Sequence, residues 1–162
     1  MTDPQDDQSG PPARGPGARA GGGRNARRRS REFALQGLYQ WLLARAELGI
    51  ILAGLADAPG YRKCDREHLE ALLGGVIRGQ EQLEAMIGPH LDRPIAQVSP
   101  IERAILMIGA QELRAHPEIP YRVVINEAID LAKAYGGTDG FKFINGVLDR
   151  VAADCGVAQG RR

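Results

Sequence analysis

Apolar residues recur every three or four positions along this chain, and glycine and proline breaks interrupt the recurrence. This spacing is typical of amphipathic α-helices, and no run alternates apolar and polar residues as a half-buried strand would. Aromatic residues make up only 5% of the 162 residues, while Ala and Leu are abundant, which also favours helices over sheet. We therefore predict an all-α fold of six to seven helices, arranged as two small helical bundles.

The breaks divide the chain into a tail and two groups of helices. Residues 1–25 are rich in Gly, Pro, Gln and Asp and hold almost no large apolar side chain, so we expect them to be disordered. Residues 26–160 form the predicted helical domain. Its N-terminal helices extend to about residue 87, and its C-terminal helices begin at about residue 98.

Capping residues and breaks predict where the individual helices begin and end. In chain order they cover about 27–46 and 47–55, then Asp65 to Ile87, Ser99 to His116, Pro120 to Gly136, and a last helix capped by Thr138 or Asp139. Ser99-Pro100-Ile101-Glu102 has the form of a capping box. Three glycines in the third helix predict a close approach to another helix, because each lowers helix propensity; they are Gly74, Gly75 and Gly79.

No catalytic or metal-binding pattern is present in the sequence. Cys64 and Cys155 are the only cysteines, so we expect neither a disulfide framework nor a metal site. Glu127 and Asp130 lie three positions apart, and we interpret them as solvated helix surface rather than a catalytic carboxylate pair. No apolar run is long enough for a membrane span, and the N-terminus is not a signal peptide. We predict a cytoplasmic protein that is no enzyme and needs no cofactor or metal.

Charge is distributed unevenly along the chain. Residues 1–31 hold seven Arg and three Asp, whereas the remaining residues hold fourteen Lys or Arg and seventeen Asp or Glu. A basic end on a mildly acidic body indicates a partner that carries phosphates. The alternative is a charge run that is merely solvated.

The stretch ARRRSREFALQGLYQW, residues 26–41, joins these arginines to a helix. On a helical wheel Tyr39 falls within about 40° of Arg28, and Gln36 lies about 80° away. Arginine grips phosphates, and an aromatic ring stacks on an unpaired base, so this side of the helix suits single-stranded RNA. The alternative is that Tyr39 belongs to the core, where we place Trp41.

Three segments resemble the signature segments of the NusB family of bacterial transcription antitermination factors. They are ARRRSREFALQGLYQW, IPYRVVINEAIDLAKAYGG and FKFINGVLDRVA, and the resemblance covers about residues 26–155. It implies a helical, non-enzymatic protein that pairs with NusE, a small-subunit ribosomal protein, and binds the single-stranded boxA element of nascent leader RNA. Other Nus factors and RNA polymerase then join a complex that reads through terminators, notably in ribosomal RNA operons.

The resemblance also implies which residues bind RNA and NusE. The RNA-binding residues are Arg27, Arg28, Arg29 and Arg31 in the arginine-rich motif, Tyr39 on the first helix, and Tyr135, Asp139, Lys142 and Phe143 where the last two helices meet. Gln36 joins them from the helical wheel. Phe143 lies off the apolar stripe of Phe141, Ile144 and Leu148, so it need not be core. The contact to NusE falls on Glu102, for which a purely structural role in the capping box is the alternative.

Two other functions are alternatives to antitermination. Some RNA cytosine methyltransferases carry a NusB-like domain ahead of a catalytic domain, but 162 residues leave no room for both. Some members of the family are similar to proteins that form homodimers. A self-associating NusB-like RNA-binding module without antitermination activity is therefore the second alternative.

Overall fold

The structure is a computed structural model that describes residues 16–158, with side chains from residue 23 onward. Within that range the chain forms seven α-helices and no strand, which confirms the predicted all-α class. The helices are α1 (Pro16–Ala44), α2 (Leu48–Ala56), α3 (Arg66–Arg78), α4 (Gln80–Ile87), α5 (Pro100–Ala115), α6 (Tyr121–Tyr135) and α7 (Gly140–Asp154). No helix in this part of the chain has both the length and the apolar character that a membrane crossing requires.

Helix α5 lies at the centre of the fold. It packs against α1, α3, α4, α6 and α7, and residues 104–113 are buried on every side. Such a helix is apolar all round because it meets neighbours in all directions. Buried apolar side chains from both predicted bundles form one cluster around it, and the bundle boundary near residues 88–98 stays a prediction.

The first helix begins earlier than predicted, at Pro16 rather than at about Arg27. Proline suits the first position of a helix, and extending an established helix costs far less free energy than nucleating one. Helix α1 therefore includes residues 16–25 of the predicted tail. The rest of the predicted tail, residues 1–15, lies outside the described residues.

The predicted third helix is two helices, α3 and α4. Gly79 separates them with φ −102° and ψ 20°, and it serves as the C-cap of α3 and the N-cap of α4. A break falls naturally at glycine, which stabilises a helix interior less than other residues. The N-terminus of α3 is as predicted, because Asp65 accepts a hydrogen bond from the backbone N–H of His68 at 3.0 Å.

Gly75 allows α3 to approach α5 closely. A Cβ atom at this position would overlap the amide group of Gln111 on α5. The close helix–helix approach predicted from the three glycines is therefore confirmed at Gly75. It brings α3 near the buried polar side chains of α5.

Ser99 and Asp139 occupy the predicted N-cap positions, but only Ser99 makes a capping hydrogen bond. Its Oγ accepts from the backbone N–H of Glu102 at 3.2 Å. Asp139 has φ 64° and makes no side-chain capping bond. The left-handed region is one that Asp tolerates better than most residues, and the turn it forms leaves the Asp139 side chain exposed.

Candidate nucleic-acid interface

Arg31 of the arginine-rich motif lies inside the protein. Only 4% of its side chain is exposed, and its Nε donates to both carboxylate oxygens of Glu112, at 3.0 and 2.9 Å. Glu112 itself is 1% exposed, and its Oε2 lies 2.6 Å from Nε2 of the buried His68. Moving Arg31 to RNA would leave this carboxylate buried without its cation, which is costly. We therefore leave Arg31 out of the RNA-binding surface and assign it a structural role that joins α1 to α5.

Arg28 is half exposed, but two carboxylates of α6 already hold it. Its Nε and Nη2 donate to the two oxygens of Glu127 at 3.0 and 3.1 Å, and Nη2 also donates to Asp130 at 2.5 Å. The hydrogen bonding that Arg28 donates to Glu127 is the main cause that raises the pKa of Arg28. Glu127 is buried, so its interpretation as solvated surface was wrong, whereas Asp130 is exposed.

Arg27 and Arg29 are held less tightly than Arg28 and Arg31. Nε of Arg27 lies 3.6 Å from Asp65, with about a third of each side chain exposed. Arg29 is half-buried, and a Cβ on Gly60 would lie 3.3 Å from its Nη1. A weakly held guanidinium can turn to a phosphate at little cost, because exposed ion pairs contribute little stability.

Tyr39 and Gln36 both lie on the exposed side of α1. Tyr39 is 39% exposed, whereas Trp41 is buried as predicted. The Trp41 ring packs under the guanidinium of Arg45, whose carbon lies 4.1 Å from the ring centroid. A core position for Tyr39 is therefore ruled out, and its ring is available to a ligand.

The second predicted RNA-binding patch lies around the turn between α6 and α7. Tyr135 is 48% exposed, and Lys142 and Asp139 form a largely exposed pair with 3.7 Å between Nζ and Oδ1. Tyr135 also lines a cleft of about 150 Å³ together with Arg28 and Asp130. This cleft brings the arginine motif and the second patch onto one surface, although Arg28 lies 99 positions from Glu127 in the sequence.

The two phenylalanines of α7 are both half-buried and pack against the edge of the core. Phe141, which we expected in the core, is half-buried and lines a groove between α6 and α7. Lys133 and Lys142 flank its ring, with Nζ atoms 4.9 and 6.0 Å from the centroid. Phe143 is half-buried, with the guanidinium carbon of Arg93 5.0 Å from its ring centroid. Lys133 is not among the predicted RNA-binding residues, although the exposed face of α6 that carries it can be read from helical spacing.

Glu102 belongs to the first turn of α5 and lies half-buried against the start of α7. A Cβ on Gly140 would overlap the carboxylate of Glu102, so this carboxylate sits against the first residue of α7. A negative charge there is favourable next to the positive end of the helix dipole. Among the described residues the Glu102 side chain makes no hydrogen bond back to Ser99, so the capping box forms in one direction only.

The described residues hold neither a metal site nor an activated cysteine. No group of three or more potential ligands lies together within the part of the chain that the structure describes. Burial is the main cause that raises the pKa of both Cys64 and Cys155. A raised pKa reduces the thiolate fraction on which cysteine nucleophiles depend.

Comparison with known proteins gives consistent matches over the helical part of the chain. The family model of the NusB family matches residues 28–153. The transcription antitermination protein NusB of Paraburkholderia phymatum is 60% identical over 130 residues, which are 80% of this chain and 90% of that protein. The protein of the same name from Ralstonia nicotianae is 56% identical over 130 residues, covering 80% and 84% of the two chains.

Solved structures resemble the fold as well. A structure of T. maritima NusB superposes with a TM-score of 0.71 at 29% identity and covers 79% of this chain and 91% of that one. A crystal structure of the antitermination factors NusB and NusE in complex with dsRNA superposes with a TM-score of 0.70 at 25% identity. It covers 80% of this chain and 98% of the matched one.

Proposed function

The chain belongs to the NusB family, and we propose that it is a transcription antitermination factor that binds RNA together with NusE. The RNA is the boxA element of nascent leader transcripts. Other Nus factors and RNA polymerase then assemble on the pair in the cytoplasm, and the complex promotes readthrough in ribosomal RNA operons. The chain contributes binding surfaces rather than catalysis and requires no cofactor.

The observation that carries this proposal is the cleft shared by α1 and α6. Arg28 and Tyr135 line it together, and both belong to segments that the family resemblance assigns to RNA. The exposed ring of Tyr135 offers a stacking surface in this cleft, while Glu127 and Asp130 hold Arg28 in its wall. One strand can therefore contact both segments at once.

The side chains of this surface divide between phosphates and bases. We assign phosphate contacts to Arg27 and Lys142, whose ion pairs are weak or exposed, and to the half-buried Arg29. The rings of Tyr39 and Tyr135, about 40% and 50% exposed, supply stacking. Phosphate contacts fix the position of the strand, and base contacts carry the sequence preference.

The remaining residues of the predicted RNA-binding surface have supporting roles. Gln36 is exposed and offers an amide to a base edge, and Asp139 lies at the turn in a weak, exposed pair with Lys142. Arg28 forms ion pairs with Glu127 and Asp130 that join the two walls of the α1–α6 cleft. We therefore assign it no phosphate contact. Phe143 lies beside Arg93 and forms the outer edge of the surface.

The exposed rings favour a single strand over a duplex. Paired bases in an A-form helix are stacked on one another, and their faces are not accessible to Tyr39 or Tyr135. The related NusB–NusE crystal structure is described as a complex with dsRNA. Binding measurements should therefore include boxA both as a single strand and annealed to its complement.

Glu102 is the proposed contact to NusE. It lies half-buried against Gly140, next to the turn that carries Asp139 and Lys142. A partner bound at Glu102 therefore sits beside the RNA-binding patch, where it can extend the surface for the same strand. This arrangement supports coupling between NusE binding and RNA binding.

The proposal is tested by measuring RNA affinity with purified NusE added or withheld. The chain alone should bind RNAs with little sequence preference and strong salt dependence, because phosphate contacts dominate. NusE should raise both the affinity and the preference for boxA over a scrambled sequence of equal length. Equal affinity and equal preference in both conditions would contradict the proposal.

Self-association is the second candidate function, and one observation favours it. Leu43 and Ile50, near the junction of α1 and α2, are 60% and 65% exposed, and exposed apolar side chains suit a contact between proteins. Size-exclusion chromatography coupled to light scattering separates the two functions. The antitermination proposal requires a one-to-one complex with NusE, whereas a homodimer that persists in excess NusE would favour the alternative.

A further inference from the structure

A groove of about 560 Å³ lies between α6 and α7, and Lys142 is the one residue of its lining that the family resemblance assigns. Asn126, Asp130 and Lys133 line one wall, and they are spaced four and seven positions apart, as residues on one face of a helix are. Phe141, Lys142 and Asn145 line the other wall. The volume falls in the range of about 300–1,000 Å³ that is usual for small-ligand sites.

The floor and sides of the groove combine one aromatic ring with two cations. Phe141 is half-buried, so the body of its side chain is anchored while part of the ring faces the groove. The ammonium groups of Lys133 and Lys142 lie 4.9 and 6.0 Å from the ring centroid. Aromatic rings flanked by cations are the elements from which single-strand binding surfaces are built.

The two lysines are more accessible to a ligand than the arginines of α1. Lys142 is 69% exposed, and its contact with Asp139 is 3.7 Å long and solvated. Lys133 is exposed and makes no ion pair within the described residues. A phosphate therefore meets little competition at either ammonium group.

Two exposed amides complete the groove and favour a nucleic acid as its occupant. Asn126 and Asn145 lie on opposite walls, and each amide offers both a donor and an acceptor. Such groups match the edge of an unpaired base, which also presents donors and acceptors. A nucleotide therefore uses the lysines, the ring and the amides together.

The groove is continuous with the surface already described. Asp130 lines both the groove and the cleft that contains Arg28 and Tyr135. A strand that passes Tyr135 can therefore proceed along α6 into the groove without leaving the protein surface.

We propose that this groove is an additional subsite for one nucleotide of the bound RNA, with Phe141 stacking on the base and Lys133 and Lys142 holding the flanking phosphates. Asn126 and Asn145 contact the edge of that base. The inference rests on the proposed RNA-binding function and adds Phe141 and Lys133 to the residues that carry it.

The test measures binding of boxA RNA to the full chain in the presence of NusE, at several salt concentrations. Phe141→Leu removes the ring but keeps an apolar side chain, and it should weaken binding about 5-fold to 150-fold with an unchanged salt slope. Phe141→Trp should restore most of the affinity. Lys133→Gln should weaken binding of all RNAs and reduce the salt slope by about one.

Arg150→Gln is the matched charge control, because Arg150 is exposed on α7 and does not line the groove. It should bind RNA as the unaltered chain does. Phe143→Leu removes the other ring of α7, and its loss of affinity should be smaller than that of Phe141→Leu. Circular dichroism and thermal unfolding confirm that each variant is folded before its affinity is compared.

The outcomes separate this inference from the proposed function. If the unaltered chain with NusE does not bind boxA, both fail. If it binds while Phe141→Leu and Lys133→Gln bind equally well, the groove inference fails and the antitermination function stands. If Lys133→Gln instead weakens binding of NusE in the absence of RNA, the groove is a protein contact and the inference is overturned.

Discussion

The cations of α1 and those of the α6–α7 edge have opposite surroundings. On α1, Arg31 is buried against Glu112, and Arg28 is held by two carboxylates. On the α6–α7 edge, Lys133 and Lys142 are exposed beside the ring of Phe141. From the sequence alone the arginines of α1 would be ranked as more available to RNA than the two lysines, because the arginines are clustered and the lysines are not. A run of positive residues therefore overstates the charge that is available to RNA.

This difference separates two kinds of contribution to function. The inner arginines of α1 form ion pairs with carboxylates of α5 and α6, and these pairs fix the position of α1. We propose that the outer residues of α1 and the α6–α7 edge bind the RNA. Variants of the first group should lower the free energy of unfolding, and variants of the second should lower RNA affinity.

The largest expected effect is on stability, from Arg31→Met. The variant removes the cation that neutralises Glu112, whose side chain is 1% exposed. Breaking a buried ion pair by removing one partner costs about 3–5 kcal/mol. Urea denaturation followed by circular dichroism measures the loss, and Arg29→Gln, at a half-buried position of the same helix, is the control with a much smaller loss.

A different result for Arg31 would break the comparison. If Arg31→Met unfolds at nearly the same urea concentration as the unaltered chain but binds RNA more weakly and with a flatter salt dependence, then Arg31 leaves Glu112 to reach RNA. The buried cation of α1 and the exposed cations of the α6–α7 edge would then both contact RNA.

Local signals in the sequence were sufficient for most of the fold. The N-terminus of α3 follows from Asp65, that of α5 from Ser99 and Pro100, and that of α6 from Pro120, because a cap depends only on residues a few positions away. The break at Gly79 was missed because three glycines in one helix mark a weak region without showing which of them ends it.

The site was harder to predict because its pairs are distant in sequence. The Arg31–Glu112 pair spans 81 positions, and nothing near Arg31 indicates its partner. Helical spacing also gives only the angle between Phe141 and Phe143 on α7. Which of them faces the groove depends on how α6 packs against α7, and that is a property of the tertiary fold.

The second prediction concerns the ring that α1 contributes. Tyr39 is 39% exposed, so Tyr39→Ala should lower RNA affinity by about 1–3 kcal/mol through lost stacking. Stability and the salt slope should change little, since no charge and little buried surface are lost. Fluorescence anisotropy with boxA RNA and NusE measures the affinity, and Tyr39→Phe, which keeps the ring, should bind nearly as well as the unaltered chain. Unfolding of Tyr39→Ala would instead indicate a structural role.

The third prediction separates the two roles of Glu102. Glu102→Gln keeps the shape of the side chain next to Gly140 but removes its charge, so NusE affinity should fall by about 1 kcal/mol, the difference between charged and neutral hydrogen bonds. Ser99 Oγ still caps α5 through the backbone N–H of residue 102, so stability should fall only by the loss of the charge beside the N-terminus of α7, about 0.3–1 kcal/mol. Isothermal titration with NusE provides the measurement, with Glu81→Gln on the exposed face of α4 as the control. Equal NusE affinity for Glu102→Gln and the unaltered chain would leave Glu102 with a structural role only.

The smallest expected effect is a gain of RNA affinity from Asp130→Asn. Asp130 accepts from Arg28 at 2.5 Å, is about half exposed, and lines both the α1–α6 cleft and the α6–α7 groove. Its charge both occupies Arg28 and repels phosphates, so its removal should strengthen RNA binding by about 0.2–1 kcal/mol, the usual range for exposed ion pairs. Arg28 keeps its two hydrogen bonds to Glu127, so the fold should be retained.

Asp149→Asn, an exposed change of the same charge on α7 outside the groove, should give a smaller gain. Titrations of boxA RNA at low and at high salt measure both variants, and the difference between them should shrink as salt screens the charges. Equal gains from Asp130→Asn and Asp149→Asn would mean that net charge alone governs the affinity, and the distinction between held and available cations would then lose its meaning for RNA binding.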